Sequence, residues 1–421
     1  MSTRSMRSSI PDLLIVGGGA AGMMAAVTAA RRGASVVVLE PNRMTGRKLR
    51  ITGKGRCNVT NDCEVPEFLK NVRTNARFLK SALYAFPPST VKSFFEEAGV
   101  PLKTERGNRV FPVSDKADDI ADALEREAMS LGVRRKKEKA LSLLTENGEV
   151  RGVLTSEGER YARSVLLATG GISYPATGST GDGYAMAESV GHTIVPLRAS
   201  LVSIEAEEDC AEMQGLSLRN VTLSLYRGDK LLYRELGEML FTHFGVSGPL
   251  VLSASAFIEG DAREYRMSVD LKPGLSEEKL DERLLRDFAE NKNRDFGNAL
   301  SALLPQKLIG VVIRRSGIDA HTKVNTVTRA QRLSLLRVLK NFDIRLIALR
   351  SAEEAIITAG GVDTAEVNAR TMESKLCRGL YFAGEILDTD ACTGGFNLQI
   401  AWSTAHAVGS AIPIEKENTE E

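Results

Sequence analysis

The sequence predicts an α/β protein: a domain built on a parallel sheet, interrupted by an inserted domain of antiparallel β-structure with a small helical part. Three observations predict it. Short apolar runs at Leu13–Val16, Val36–Leu39, Val165–Leu167 and Leu380–Phe382 have the continuous pattern of parallel strands buried on both faces. A helix-forming stretch from Met23 to Arg32 separates the first two runs. Between about 193 and 350 the pattern changes to apolar residues alternating with polar ones, the period of an antiparallel strand with one wet face.

Composition bounds the class. At 421 residues the chain should carry about two to four compact units. Lys plus Arg total 55 against 54 Asp plus Glu, and this balance lacks the basic excess of a dedicated nucleic-acid binder. Five Cys without paired spacing make no disulfide framework, which favours a reducing, cytoplasmic setting. The start, with Arg4 and Arg7, shows no apolar stretch of signal length before Pro11. The most apolar late stretch, Leu308 to Ile313, is bounded by Lys307 and Arg314, and no run of about 18 apolar residues occurs, so no membrane partner is expected.

The first element ends at Gly17-Gly18-Gly19-Ala20-Ala21-Gly22, a G-x-G-x-x-G match between a strand and a helix. Gly17 allows the tight turn, Gly19 lets the backbone approach a pyrophosphate, and Gly22 permits close helix–strand packing. The helix N-terminus offers unpaired N–H groups and positive dipole to phosphates. Gly33 closes the helix. The second strand ends at Glu40, 18 positions beyond Gly22, where a carboxylate can accept ribose hydroxyls. An acid rather than a base there favours FAD or NAD over NADP. Behind it, Gly46, Gly53 and Gly55 let a loop run close to a ligand, and Arg47, Lys48 and Arg56 can offset two phosphate charges.

Further elements repeat the theme. An antiparallel meander is predicted from strands near Lys139–Leu144 and Val150–Ser156 around a Glu146-Asn147-Gly148 turn. The third parallel strand runs into Ala168-Thr169-Gly170-Gly171. The last runs into Ala383-Gly384-Glu385, after which Gly394-Gly395-Phe396-Asn397 opens a helix from Leu398 to Val408. These features resemble the Rossmann-like FAD-binding domain of two-dinucleotide-binding-domain flavoproteins. In that fold a late acid sits near the ribityl-pyrophosphate, and a C-terminal helix points its N-terminus at the flavin pyrimidine edge.

Gly46-Arg47-Lys48-Leu49-Arg50-Ile51-Thr52-Gly53-Lys54-Gly55-Arg56-Cys57-Asn58-Val59-Thr60-Asn61 is similar to the signature of the BaiN/HI0933-like flavoproteins, labelled aminoacetone oxidase or NAD(P)/FAD-dependent oxidoreductase. Arg109-Val110-Phe111-Pro112, the Phe241–Pro249 segment and Thr393–Gln399 match the same family. The resemblance implies FAD contacts at Ala21, Glu40, Arg47, Lys48, Asn58, Ala140, Glu385 and Leu398. With the glycine turn and the strand ends, the candidate set also includes Gly17, Gly19, Gly22, Gly55, Gly170, Gly384 and Asn397.

Within the insertion, Val221, Leu223 and Leu225 alternate, Gly228-Asp229 gives a hairpin turn, and Met267, Val269 and Leu271 alternate again. Ser276 can cap a helix whose Leu280, Leu284, Leu285 and Phe288 line one face; another covers Arg329 to Leu339, and Asn291 to Asn298 reads as a loop. The expected organisation is 1–192 and 352–421 for the cofactor domain and 193–351 for an inserted cap, β-rich at about 193–272 and 340–351 and helical at about 273–339. A small-molecule substrate is expected where cap meets flavin. His243, in a glycine-bounded loop, is the candidate acid or base, with Tyr174 and Arg109 as further cleft residues. No Cys-x-x-Cys pair, metal-ligand cluster or serine nucleophile elbow occurs. The leading expectation is hydride transfer between a small organic substrate and flavin N5, with O2 or NAD(P)H as the other redox partner. A flavin-dependent tRNA-modifying enzyme and a non-catalytic flavin module are the alternatives. The basic run Arg134-Arg135-Lys136-Lys137 is read as a solvated strand edge.

Overall fold

The computed structural model describes residues 10–207, 209–351 and 353–415. The first nine residues, including the start read above for a signal, lie outside the described residues. Two compact units emerge: Met1–Ser200 with Ala355–Glu421, and Leu201–Glu354.

The first unit is built on a five-stranded parallel sheet in the order Leu380–Phe382, Ser164–Leu167, Leu13–Val16, Val36–Leu39, Arg134–Lys136. Every residue of the first four strands is buried, which is why they read as unbroken apolar runs. The basic strand Arg134–Lys136 takes the edge, where its charges stay largely in water. Helices Ala20–Arg31, Ala117–Ser130 and Phe396–Ala411 share one buried cluster with the strands. The meander forms Ala140–Glu146, Glu149–Thr155 and Gly158–Tyr161, paired antiparallel.

The C-terminal helix starts at Phe396, two residues before its expected start, and is enclosed along most of its length. Several of its polar side chains are satisfied internally, although the buried His406 Nδ1 has no hydrogen-bond partner among the described residues. Trp402 donates its indole N–H to the Val59 carbonyl at 2.9 Å. Gln399 accepts from the Thr60 hydroxyl at 2.6 Å and donates to the Phe86 carbonyl at 2.8 Å. Arg32 donates to the Gly409 and Ile412 carbonyls, covering the helix C-terminus. Gly409 allows close approach to the glycine-turn helix, since a Cβ there would lie 2.6 Å from Thr28 Cβ.

Helices Val65–Lys70, Ala76–Ala85 and Pro88–Glu97 and a small sheet of Thr60–Asn61, Arg109–Pro112 and Leu102–Glu105 complete this unit without having been anticipated. Ile194–Ser200, expected to open the insertion, instead pairs antiparallel with Ile357–Val362 and belongs to the first unit.

The second unit is a closed six-stranded antiparallel barrel. Its order is Ile204–Ala206, Gly245–Ser247, Lys230–Phe241, Ser217–Arg227, Tyr265–Asp270, Phe342–Leu349, closing back on the first strand. Closure leaves no sheet edge open to another chain. Val221, Leu223, Leu225, Met267 and Val269 point inward. Helices Glu277–Glu290, Gln306–Ser316 and Arg329–Lys340 pack in the same cluster. Ser276 accepts from the Lys279 N–H, and Thr328 with Gln331 forms a capping box. Two expectations are corrected here. Leu285 is 47% exposed rather than on the buried face with Leu280 and Leu284. The Asn291–Asn298 loop ends early, because Phe296, fully buried, starts a short helix to Ala299.

Among the described residues no helix is long and apolar enough to cross a membrane.

Candidate functional site

Parallel strands deliver their C-terminal ends to one sheet edge, and the register shows which residues meet there. Val16 is level with Leu167 and with Leu39, and Leu167 with Phe382. The residues that follow these ends are the Gly17–Gly19 turn, Glu40, Thr169-Gly170 and Gly384-Glu385.

The glycine turn has the geometry its spacing demands. Gly17 has φ +105°, and a Cβ there would lie 2.6 Å from the Ala168 carbonyl oxygen. A Cβ at Gly22 would sit 1.9 Å from the Gly17 carbonyl oxygen, so helix and turn pack directly on one another. At Gly19 a Cβ would meet nothing within 4 Å, which leaves the backbone open to a ligand. Helix Ala20–Arg31 carries no capping side chain and no acid in its first turn, so its positive end is uncompensated. Ala21 lies against Gly384, whose Cβ position is 2.9 Å from the Ala21 methyl.

Two carboxylates flank this turn. Glu40 accepts from the Gly18 N–H at 3.0 Å through Oε2, and from the backbone and side-chain N–H groups of Asn42 at 2.9 and 2.7 Å through Oε1. Arg47 in turn donates to Asn42 Oδ1 at 2.6 Å. Glu385 accepts from Lys48 Nζ at 2.6 Å through Oε2, and from the Ser173 hydroxyl and the Thr358 N–H, both at 2.8 Å, through Oε1. On each carboxylate Oε1 is saturated and Oε2 retains one acceptor position.

The C-terminal helix also begins at a glycine. Its N-cap, Gly395, has φ +98°, and a Cβ there would collide with the Thr60 carbonyl carbon at 2.3 Å. No side chain caps this end. Asn397 clasps the preceding turn, accepting from Ala391 N–H and donating to Ala391 carbonyl at 3.0 and 2.8 Å. Asn61 donates to both the Gly394 and Gly107 carbonyls at 3.0 Å, tying a hairpin tip to the same turn. Leu398 is half-buried against the main core.

The expected residues fare differently. Gly17 and Gly22 pack on one another, Ala21 lies against Gly384, Glu40 reaches Arg47 through Asn42, and Lys48 bonds Glu385 directly and through Ser173, while Gly170 lies against Ser179 and Gly19 stands open. Ala140 begins the meander, and Gly55 uses its carbonyl to hold the Ala117 N–H, so neither touches this group directly. Arg56 is corrected: its guanidinium pairs with Glu105 and Asp115 at 2.5 and 2.6 Å over the Phe111 ring and is not free for a phosphate. Of the three expected cations, only Arg47 lacks a carboxylate partner among the described residues. His243 lies exposed in the tight turn of the barrel where Thr242 N–H meets the Gly245 carbonyl. Tyr174 holds φ +52°, and Arg109 bonds the Arg106 carbonyl.

Three contributors went unread: Asn42, Ser173 and Thr358. Asn42, two positions beyond Glu40, is the kind of side chain that bonds back to a strand end, a local signal available in the sequence. Thr358 sits in an apolar run and gives none.

A nucleotide cofactor fits this edge. Asn58 Oδ1 and Thr169 Oγ1 are buried with no hydrogen-bond partner, an uncommon state that a ligand polar group relieves. Two uncapped helix N-termini, an open Gly19 backbone and two carboxylates with one acceptor position left on each supply phosphate and hydroxyl partners. Thiol chemistry does not: Cys57 is fully buried with its thiol pushed up by desolvation, and burial lifts Cys63 to about 11. Among the described residues no cluster of His, Cys, Asp and Glu is placed to hold a metal.

Known proteins resemble this chain along most of its length. A 3-dehydro-bile acid delta(4,6)-reductase from Clostridium scindens is 32% identical over 90% of this chain and 92% of its own. A ribosomal RNA dihydrouridine synthase from Haemophilus influenzae is 31% identical over 96% of this chain and 99% of its own, and one from Escherichia coli is 30% identical over 96% and 98%. Among solved structures, a flavocytochrome c3 fumarate reductase superposes with a TM-score of 0.52 at 16% identity, covering 96% of this chain and 78% of its own. A 3-ketosteroid delta1-dehydrogenase from Sterolibacterium denitrificans gives 0.51 at 12% identity, over 96% and 99%. At such identities these two speak to the fold alone. The model of the HI0933-like protein Rossmann domain matches residues 11–411, and the chain belongs to that family.

Proposed function

We propose that the chain is an FAD-dependent oxidoreductase that reduces a carbon–carbon double bond conjugated with a carbonyl, with NADH or NADPH as electron source. One observation carries the choice of a dinucleotide. Glu40 and Glu385 follow strands separated by two others, three strand spacings or about 14 Å apart along the edge. A mononucleotide reaches one of them; extended FAD reaches both, with the ribose at Glu40 and the ribityl chain at Glu385.

Each residue then has a task. The free acceptor position of Glu40 takes a ribose hydroxyl. The N-terminus of helix Ala20–Arg31 and Arg47 face the pyrophosphate, with the open backbones of Gly19 and Gly55 beside it. Lys48 neutralises Glu385, so that this acid takes a hydroxyl without repelling the phosphates. Ala140 and Leu398 offer apolar contact, and Gly170 and Asn397 shape the turns around it. The N-terminus of helix Phe396–Ala411 faces the pyrimidine edge and stabilises negative charge there. Bound FAD supplies hydride transfer at N5, chemistry that no side chain provides. His243 is the proposed acid or base. His192 is enclosed and His406 is stacked on Phe86, which leaves His243 and His321 as the exposed imidazoles.

The relatives' names support the reductive direction. A bile acid delta(4,6)-reductase and a dihydrouridine synthase both saturate a carbon–carbon bond conjugated with a carbonyl. This supports reductive use of NAD(P)H over an O2-dependent oxidase. A second reading, an RNA substrate, is favoured by the two relatives named for ribosomal RNA; a small organic molecule is favoured by the bile acid enzyme and the chain's balanced charge.

Anaerobic mixing tests both. FAD-loaded protein should lose its yellow colour with NADH or NADPH and regain it on adding either a conjugated 3-oxo steroid or unmodified ribosomal RNA. Recovery with neither, but with O2, contradicts the reductase reading.

A further inference from the structure

We infer that Ser173 and Thr358 are positioning residues for the cofactor, holding Glu385 so that one oxygen remains open to a ligand hydroxyl; this rests on the FAD reading above. Both residues are 1% exposed, and their hydroxyl protons can be traced. Thr358 Oγ1 accepts the N–H groups of Ile172 and Ser173 at 2.8 and 3.1 Å, which occupies both of its lone pairs. Its own proton then has Ser173 Oγ, 3.3 Å away, as acceptor. Ser173 Oγ also accepts from Lys48 Nζ at 2.7 Å, and its single proton goes to the nearer acceptor, Glu385 Oε1 at 2.8 Å, rather than to the Ile356 carbonyl at 3.4 Å.

Lys48 Nζ and the Thr358 N–H complete the set of donors to Glu385. Four separate segments are joined: the helix Arg47–Ile51, the turn after Ser164–Leu167, the strand Ile357–Val362 and the Gly384–Ile386 turn. The donors leave Glu385 with one unused acceptor position, on Oε2. With Lys48 beside it the cluster is neutral overall, which suits a hydroxyl donor rather than a cation or anion. The turn is shaped around the threonine hydroxyl, since a Cβ at Gly171 would lie 2.2 Å from Thr358 Oγ1.

The alternative, a network that only braces the turn, predicts different behaviour. Apoproteins of the wild type, Ser173→Ala, Thr358→Val and Thr358→Ser are titrated with FAD, binding is read from quenching of flavin fluorescence, and the apoproteins are melted in parallel. Loss of the Ser173 hydrogen bond to the Glu385 carboxylate in Ser173→Ala, and of the Thr358 hydroxyl that orients Ser173 in Thr358→Val, should each weaken FAD by about 10-fold or more. Thr358→Ser, which keeps the hydroxyl, should stay within about three-fold of wild type, under 0.7 kcal/mol. A bracing role lowers the melting temperature and leaves the affinity of the folded protein unchanged. Wild-type affinity in Ser173→Ala and Thr358→Val, or a loss in Thr358→Ser as large as in Thr358→Val, overturns the inference. Should Thr358→Val fail to fold, Ser173→Ala decides alone. Wild-type protein that takes up no FAD overturns the cofactor reading itself, a result distinct from normal uptake by every variant.

Discussion

Arg47 and Arg56 lie in the same glycine-rich segment and have the same chemistry, yet their partners assign them different work. Arg56 holds Glu105 and Asp115 and covers Phe111, whereas Arg47 donates to the neutral Asn42 and has no carboxylate partner among the described residues. Arg47→Ala should weaken FAD binding by up to about five-fold at low salt, and less at high salt. Arg56→Ala should leave FAD affinity at low salt unchanged, and titrations at two ionic strengths check both. A second residue-scale prediction concerns His192. Ser374 Oγ accepts the N–H groups of Leu376 and Cys377, so its proton goes to His192 Nε2 at 2.7 Å, while Nδ1–H faces Glu366 at 3.1 Å. This is a serine–histidine–acid geometry without a nucleophile: the serine oxygen is saturated and the imidazole side chain fully enclosed. Burial lowers the His192 pKa from its ordinary 6.5, against the pull of Glu366. The unfolded chain therefore binds the proton more readily, and stability falls as pH drops below 6.5 toward the folded value. Denaturant melts across pH 5 to 8 should show that slope, and His192→Gln should reduce it, leaving the share of His406, whose pKa burial also lowers.

At the scale of elements, the C-terminal helix is the piece on which the proposed flavin edge depends, and its entry turn tolerates no side chain. Gly395→Ala places a methyl against the Thr60 backbone in a left-handed conformation. It should cost about 2 kcal/mol or more by denaturant unfolding and lower FAD affinity together with stability. How much of such an element the sequence discloses depends on the range of its causes. The strand, glycine turn and helix at Leu13–Arg31 are legible because each signal is local: an apolar run, a close approach at Gly22, an open Gly19. The pairing of Ile194–Ser200 with Ile357–Val362 is not legible, since its partner lies beyond the whole second unit. Arg56 misleads for the same reason; the acids that hold it are 49 and 59 positions away. Glu385 could be read from its strand end, but not the hydroxyls that orient it, because Thr358 sits in a strand as buried as any other.

For the whole molecule, one continuous segment, Leu201–Glu354, forms a closed barrel with its own core, and the Arg350 N–H bonds the Ser203 carbonyl at 3.0 Å near its two ends. A segment with adjacent ends and no open sheet edge has what independent folding requires. Residues 201–354 expressed alone should melt cooperatively and bind no FAD; a fragment that stays unfolded would contradict this. The proposed flavin edge, by contrast, is assembled from residues on both sides of that segment, from Gly17 to Leu398. The central claim is that this edge carries FAD, and cofactor stoichiometry tests it most directly. Protein reconstituted with FAD, freed of excess and then denatured should release one FAD per chain, with Glu40→Ala and Glu385→Ala releasing far less. A wild-type protein that releases no flavin after reconstitution, or equal retention by both variants, would contradict the account.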